Sequence, residues 1–219
     1  MAVVKADAYG HGAPQVAQLA VAAGAERLGT LTVEEALTLR KAGIRAPIVL
    51  LAPPLPEQAD AVARARLEPT VDSEALLSAL ARQRARVPVH LDVDLGLGRW
   101  GVSPRRAGAL IARIRHDRRL RLAGLSTHLD YVAGKNAVEA EQKLRGFKRL
   151  ADAAKRAEPT ALCHAANSSI LLDFPRWQLD MVRVGNLIYG INPTGSAAEV
   201  KAHWRFQARV IALHRVAKG

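Results

Sequence analysis

The sequence predicts an α/β protein whose main part is a closed barrel of eight parallel strands, a (β/α)8 barrel. Short apolar runs alternate with longer segments of helical period, a pattern typical of parallel sheets built from repeated strand and helix units. Eight such runs favour a closed barrel over an open, doubly wound sheet. The polar residues that stand out also follow the ends of these runs, where such a barrel gathers its chemistry.

The predicted strands are the eight short apolar runs. They cover Ala2–Lys5, Arg27–Leu31, Pro47–Leu51, Glu68–Val71, Val87–Val93, Leu120–Thr127, Ala161–His164 and Leu179–Val184. The predicted helices lie between them and cover Ala13–Ala23, Val33–Ala42, Pro56–Arg64, Ser73–Arg84, Pro104–Arg115, Ala137–Ala157 and Ser168–Leu172. Residues that favour helix caps stand at or beside several of these starts, namely Thr32, Asp72, Ser103 and Asn136.

The pattern changes after Tyr189. Gly190–Ala197 is rich in turn residues, and Ala202–Val216 then alternates polar and apolar residues, as a long strand does. We therefore expect a barrel domain over residues 1–195 and the first strand of an incomplete, β-rich domain over residues 196–219. Because a lone strand cannot bury its own apolar face, we expect the chain to be truncated there, and upstream of strand one as well.

The composition indicates a folded protein with a full core. Hydrophobic residues make up 49% of the 219 residues. The net charge of +12 raises the question of nucleic acid binding, but aromatic residues amount to 4% and no stacking residues interleave the scattered arginines. We expect no nucleic acid partner.

Cysteine usage and hydropathy predict a cytoplasmic location. Cys163 is the single cysteine, which excludes an internal disulfide and suits a reducing compartment. Since neighbours on a strand point to opposite faces, we expect Cys163 to be a buried thiol and His164 a polar contact. No apolar run reaches the roughly 18 residues that a bilayer crossing needs, and the start lacks a secretory signal. We expect neither a membrane partner nor a metal site.

Lys5 is the first candidate for chemistry. It ends an apolar strand, and Tyr9, Gly10 and Gly12 lie within one loop of its amine. A partly desolvated lysine amine is a nucleophile that can form a Schiff base. The alternative is a lysine that extends from the strand end into solvent.

Other strand ends carry groups that suit a phosphorylated, electron-withdrawing cofactor. Hydroxyls and backbone N–H groups at helix starts bind anions well. His128 can lie against an aromatic ring, and Arg183 can contact a ring nitrogen. The predicted anion ligands are Tyr9, Asn167, Ser168, Gly185 and Asn186.

Five motifs in order, VVKADAYGHG, DLGLGRWGV, STHLD, HAANSS and MVRVGNLIYG, cover nearly the whole chain. In this order they resemble the alanine racemases, pyridoxal-phosphate enzymes of the barrel type (fold type III). The resemblance implies a TIM-like barrel, pyridoxal 5'-phosphate as cofactor, and interconversion of L-alanine and D-alanine for peptidoglycan synthesis. A serine, lysine or broad-specificity racemase of the same fold, and an inactive cofactor-binding remnant, are the alternatives.

The resemblance also implies roles for individual residues. Lys5 forms the internal aldimine and acts as one of two bases at the substrate α-carbon. Arg99 lies near the substrate carboxylate and the phenolic oxygen of the cofactor, Arg183 pairs with the pyridine nitrogen, and His128 lies beside the ring. The phosphate positions are matched by Tyr9, Ser168, Gly185 and Asn186, with Asn167 in the same motif.

The chain departs from the family at the second base. In the racemases this base is a tyrosine of the β-rich domain that reaches in from the partner subunit of a head-to-tail homodimer. None of Tyr9, Tyr131 or Tyr189 matches it. We therefore expect a chain of this length to hold the cofactor and to racemise poorly or not at all.

Asp92 is the other departure. Family members commonly carry there a carbamylated lysine, whose negative charge lies beside the arginine that corresponds to Arg99. The carboxylate of Asp92 can supply that charge and orient Arg99, or it can be an ordinary polar residue of the strand.

Overall fold

The computed structural model describes residues 1–202, 204, 205 and 207–217. One parallel sheet follows the order of the chain, and each of its strands lies within a predicted run. Its strands are β1 Ala2–Val3, β2 Leu28–Thr30, β3 Ile48–Leu50, β4 Glu68–Val71, β5 Val87–Asp92, β6 Leu120–Ser126 and β7 Leu162–His164. Every one is almost entirely buried, which explains why the sequence shows apolar runs instead of alternation.

The predicted eighth strand, Leu179–Val184, is an extended connection and not a regular strand. Its first residue is left-handed, with φ of 54°, which interrupts an extended backbone. The connection nevertheless closes the ring, because Val184 forms a parallel bridge with Ala2 and the Asp180 N–H donates to the Cys163 carbonyl at 3.1 Å. The expected TIM-like barrel is therefore confirmed, and the prediction of a regular eighth strand was wrong.

Helices lie between the strands and agree with the predicted ones to within a few residues. They are α1 Lys5–Gly10, α2 Ala13–Ala22, α3 Val33–Lys41, α4 Ala59–Arg64, α5 Glu74–Ala81, α6 Pro104–His116, α7 Ala137–Ala157 and α8 Ser168–Asp173. Short 3-10 turns cover Pro56–Gln58, Pro175–Trp177 and Asn186–Tyr189. Within the described residues, no helix combines the length and the apolar character that a membrane crossing requires.

The predicted caps are correct in part. Thr32 forms a full capping box with the glutamate three residues on. Asp72 is not the cap of α5, because the hydroxyl of Ser73 accepts the hydrogen bond from the helix instead. Ser103 and Asn136 occupy cap positions, but their side chains make no capping hydrogen bond.

The turn α1 is left-handed, where the sequence predicts a glycine-punctuated loop. Ala6, Asp7, Ala8 and Tyr9 have φ values of 50°, 51°, 55° and 57°. Each L-residue in this conformation costs roughly 1–2 kcal/mol, so the surrounding structure must hold the turn. Two short contacts do so: Ala6 N–H donates to the Glu35 carboxylate at 2.7 Å, and Asp7 Oδ1 accepts from the Ala13 N–H at 2.7 Å.

The segment Ala202–Val216 is not a strand in the described residues. It makes no β-pairing there, and its apolar side chains lie open, with Ile211 at 94% and Leu213 at 90% exposure. An isolated strand gains no ladder hydrogen bonds, which accounts for the difference. His203 and Phe206 of this segment lie outside the described residues.

We expect Ala6→Gly to raise the free energy of unfolding by about 1 kcal/mol, because glycine relieves the left-handed strain at an exposed position. The matched control is Ala153→Gly, at an exposed position in the right-handed helix α7, which should lower it by about 1 kcal/mol. Urea denaturation of both variants and the parent measures the two effects. Equal destabilisation by both substitutions would contradict a left-handed turn.

Candidate functional site

A cavity of about 240 Å³ lies at the carboxyl ends of the strands. The ten site residues predicted from the sequence all line it. They are Lys5, Tyr9, Asp92, Arg99, His128, Asn167, Ser168, Arg183, Gly185 and Asn186. Because strands of a parallel barrel end at one face, residues far apart in the chain meet there.

The left-handed turn brings Lys5 and Tyr9 to the same cavity. Lys5 is separated from the end of β1 by one residue, and the tight turn returns the chain so that Tyr9 also lines the cavity. The Tyr9 ring packs against Tyr189 with centroids 4.8 Å apart. A Cβ on Gly185 would lie 2.4 Å from the Tyr9 hydroxyl oxygen, so the close approach of this phenol requires glycine. Burial raises the pKa of Tyr9, which keeps the phenol protonated as a donor.

Polar groups beside Tyr9 form a cradle for an anion. The hydroxyl of Ser168 accepts from the Gly185 N–H at 3.3 Å, which joins the start of α8 to the segment that follows the barrel. Asn186 begins the next 3-10 turn. Asn167 caps α8, since its Oδ1 accepts from the Ile170 N–H at 3.0 Å, and its role as a cofactor ligand stays a prediction.

Arg183 is buried between the strand ends. Nη1 donates to His164 Nδ1 at 2.7 Å and to the His164 carbonyl at 2.8 Å. Nη2 donates to the carbonyls of Thr127 at 2.8 Å and Ala165 at 3.1 Å. Of the five guanidinium N–H groups, Nε–H alone has no partner within the described part of the chain, and the side chain lines the cavity. Burial lowers the pKa of Arg183 to about 10, which leaves it cationic at neutral pH.

His128 lies on the cavity wall as a neutral ring. Burial, followed by the positive charges of Arg183, Arg99 and Lys5, lowers its pKa to about 3. A neutral imidazole without a fixed charge suits contact with a flat, electron-poor ring.

Asp92 and Arg99 both line the cavity without forming an ion pair within the described residues. Asp92 Oδ1 accepts from the Ser126 hydroxyl at 2.6 Å, while Arg99 lies over the Trp100 ring at 3.7 Å. Burial raises the pKa of Asp92 to about 6, against the Ser126 hydrogen bond and the charges of Arg183 and Arg99. The aspartate does not hold Arg99 by direct contact, and its orienting role stays a prediction.

Sequence reasoning missed polar residues that lie inside the barrel below the cavity. Glu68 and His90 belong to the fully buried strands β4 and β5, where the sequence indicates core residues. The signal was present, since a charged or polar residue inside an apolar strand needs a buried partner. The expectation for Cys163 is confirmed, because burial raises the pKa of this thiol to about 11 and its neighbour His164 contacts Arg183.

Comparison with known proteins gives one consistent family. Residues 1–193 match the family model described as alanine racemase, N-terminal domain. Alanine racemase of Halothermothrix orenii is 34% identical over 227 residues, covering 100% of this chain and 60% of that protein. Alanine racemase of Synechocystis sp. is 37% identical over 228 residues, covering 100% of this chain and 61% of that protein. The chain thus spans about 60% of the length of these curated relatives.

Solved structures agree with the fold. An alanine racemase from E. faecalis has a TM-score of 0.84 at 29% identity and covers 92% of this chain and 57% of its own. An alanine racemase from Bacillus anthracis with bound L-Ala-P has a TM-score of 0.82 at 28% identity, and the match covers 92% of this chain and 55% of that one. An alanine racemase from Clostridium difficile in complex with cycloserine has a TM-score of 0.82 at 27% identity, and the match covers 92% of this chain and 58% of that one.

We expect Asp92→Asn to change the pH dependence of stability. Because the folded protein holds the Asp92 proton up to a pKa of about 6, above the ordinary 3.8, it binds more protons than the unfolded chain between these values. The parent therefore loses stability as pH rises through this window, by roughly 2.5 kcal/mol between about pH 4 and pH 7. The asparagine variant lacks this loss, so the stability difference between variant and parent should grow by that amount.

Urea denaturation at several pH values measures the difference. The control is Asp60→Asn, which removes a carboxylate at an exposed position of α4. An identical pH profile for Asp92→Asn and the parent would show that Asp92 is ionised in the folded protein as in the unfolded one.

Proposed function

The chain belongs to the alanine racemase N-terminal domain family, and we propose on this basis that the whole protein interconverts L-alanine and D-alanine with pyridoxal 5'-phosphate. The observation that carries the proposal is the cavity, where Lys5 meets nine further predicted site residues from six separate parts of the chain. The proposed product, D-alanine, is a component for peptidoglycan synthesis in the cytoplasm of a bacterium.

The residues around the cavity fit pyridoxal phosphate at both ends. Hydroxyl and backbone donors gather at one end of the cavity and suit the phosphate. They belong to Tyr9, Ser168, Gly185 and Asn186, and they lie so close together that a side chain at position 185 would not fit. Asn167 supports this end by holding the start of α8.

At the ring end, the free Nε–H of Arg183 suits the pyridine nitrogen, and neutral His128 suits the ring face. When bound, this cofactor withdraws electrons from the α-carbon of an attached amino acid. Arg183 governs how far that withdrawal goes, because a guanidinium with a pKa of about 10 keeps its proton and leaves the ring nitrogen unprotonated.

Lys5 has two roles in this proposal. Its amine would attach the cofactor covalently. Once the amine of alanine has replaced it there, the freed Lys5 amine would move the proton at the α-carbon on one face. The position close to the end of β1 suits both roles, since a rigid strand end fixes the amine more closely than a loop would.

Arg99 is proposed to bind the substrate carboxylate. It is exposed and lines the cavity, where its guanidinium carbon lies 3.7 Å from the centre of the Trp100 ring and the group can meet an incoming anion. Asp92 behind it adds negative charge in proportion to its ionisation, which a pKa of about 6 makes incomplete near neutral pH. The L-Ala-P in the Bacillus anthracis relative supports a ligand of alanine size.

A second base must act on the opposite face of the α-carbon. Tyr9 lies in the phosphate cradle, and the Tyr131 hydroxyl is bonded to Asp173 outside the cavity. Tyr189 donates to the Val3 carbonyl at 3.2 Å, so its hydroxyl is also engaged. We propose that a tyrosine of the partner subunit in a homodimer supplies this base.

We expect pyridoxal phosphate to give a visible absorbance band with the protein, and Lys5→Ala to abolish it. The reason is that the band requires covalent attachment to this amine. Lys41→Ala, at the exposed end of α3, is the matched control and should leave the band unchanged. Spectrophotometric titration measures both, and a band of equal strength in Lys5→Ala would remove Lys5 from the role.

We expect the purified chain, loaded with pyridoxal phosphate, to exchange the α-hydrogen of one alanine enantiomer in heavy water without inverting it. One base, Lys5, reaches one face of the α-carbon. Mass spectrometry measures the exchange and chiral chromatography measures the inversion, with serine and lysine as comparison substrates. Full racemase turnover by this chain would contradict the single-base arrangement, and a loss of all exchange would favour an inactive remnant.

A further inference from the structure

A continuous chain of polar side chains runs through the barrel interior beneath the cavity. Arg183 Nη1 lies 2.7 Å from His164 Nδ1, and His164 Nε2 lies 3.0 Å from His90 Nδ1. His90 Nε2 lies 3.0 Å from Glu68 Oε2, which lies 3.2 Å from Arg27 Nε. The chain therefore joins the guanidinium at the cavity to a carboxylate well below it.

The barrel is built to accommodate this chain. Glu68 lies on β4, His90 on β5 and His164 on β7, so His90 must reach across β6. Gly124 is the residue of β6 opposite His90, and a Cβ there would lie 2.3 Å from His90 Nδ1. The β-bulge between Val89 and His90 sets the register at this point. A residue without a side chain thus opens the path between the two rings.

The direction of every hydrogen bond in the chain follows from the chemistry of arginine. A guanidinium donates and never accepts, so His164 Nδ1 must be unprotonated and must accept. His164 is then neutral with its proton on Nε2, which it donates to His90 Nδ1. His90 in turn carries its proton on Nε2 and donates it to the Glu68 carboxylate. Both rings are neutral Nε2–H tautomers.

Burial reinforces this assignment. His90 and His164 are 0% and 1% exposed, so a charge on either ring would be desolvated. Burial, with the charge of Arg183 next, lowers the pKa of His164 well below its usual value. Burial alone would raise the pKa of Glu68, but the His90 hydrogen bond and the Arg27 charge hold it below the ordinary value. The chain therefore runs from a fixed anion to a fixed cation.

We propose that Glu68 and His90 are positioning residues: from the far end of the polar chain they stabilise the proton order that Arg183 requires, and so they hold Arg183 in its observed position. The significance for the pyridine nitrogen rests on the proposed function, whereas the proton order does not. With Glu68 as acceptor, the His164 lone pair faces Arg183 and accepts from Nη1, and the arginine side chain lines the cavity.

Loss of the acceptor would make a second order available. His90 would then be able to carry its proton on Nδ1 and donate it to His164 Nε2. His164 would in turn carry its proton on Nδ1, facing an arginine N–H at 2.7 Å. Two donors cannot occupy that distance, so Arg183 would have to move. Glu68 excludes this arrangement from the far end of the chain.

The test is ¹⁵N NMR of the purified protein, labelled at histidine and arginine and measured without cofactor. The ¹⁵N shifts report which ring nitrogen of His90 and His164 is protonated, and hydrogen exchange reports how firmly Arg183 Nε–H is held. The expected result in the parent is the Nε2–H tautomer at both rings, with slow Arg183 exchange. A proton on Nδ1 of either ring, or a charged ring at neutral pH, would overturn the proposal.

Two variants at Glu68 separate the hydrogen bond from the side-chain volume. Glu68→Gln keeps an oxygen that accepts from His90, so both tautomers should persist. Glu68→Leu removes the acceptor, and a mixture of tautomers together with about tenfold faster Arg183 Nε–H exchange is expected. Unchanged tautomers and exchange in Glu68→Leu would refute the positioning role. If Glu68→Leu does not fold, Glu68→Gln decides the proposal: a proton on Nδ1 of either ring in that variant, which keeps an acceptor for His90, would refute the positioning role.

These measurements are independent of the proposed racemase activity. A protein with the predicted proton order that fails to attach pyridoxal phosphate would refute the proposed function and leave the positioning role intact. Attachment of the cofactor to a protein with the opposite proton order would refute the positioning role and leave the proposed function intact.

Discussion

Burial of one guanidinium is the constraint on which the closed barrel and its cavity both depend. Arg183 sits in the connection that replaces the eighth strand, and it donates to carbonyls of Thr127, His164 and Ala165 at the ends of β6 and β7. The backbone of this connection pairs with β1 at Val184 and donates to the segment of β7 through the Asp180 and Arg183 N–H groups. Hydrogen bonds from a charged group are stronger than neutral ones, and here they join the closing segment to the strands that form the site. The same side chain is therefore a structural tie and a wall of the cavity.

Much of the barrel and of its site follows from the sequence, for one physical reason. Strands buried on both faces must be apolar throughout, so they appear as short runs, and a parallel barrel brings the residues after those runs to one face. The left-handed turn after Lys5 was not predictable, because local preference opposes it and contacts with residues outside it, Glu35 and Ala13, hold it. The paired role of Glu68 and His90 was equally hidden, since it depends on register and on a bulge.

The left-handed turn shows how local strain serves the site. Lys5 and Tyr9 are four residues apart, and a right-handed helical turn would also place them close together. The left-handed turn winds in the opposite sense to a right-handed one. With this turn, the Tyr9 ring packs against Tyr189 and its hydroxyl lies close to Gly185. Strain of this kind persists when the surroundings fix the segment firmly, and it is typical of functional sites.

The polar chain beneath the cavity has a cost that bears on its purpose. Replacing buried ionic groups by apolar residues of similar volume is often neutral or stabilising, so Glu68 and His90 are not explained by stability. Their effect is directional: a carboxylate at one end and a guanidinium at the other leave the two rings between them a single proton order. Because four of the five guanidinium N–H groups are held within the barrel, the position of Arg183 at the cavity is linked to Glu68 and His90, which do not line the cavity themselves.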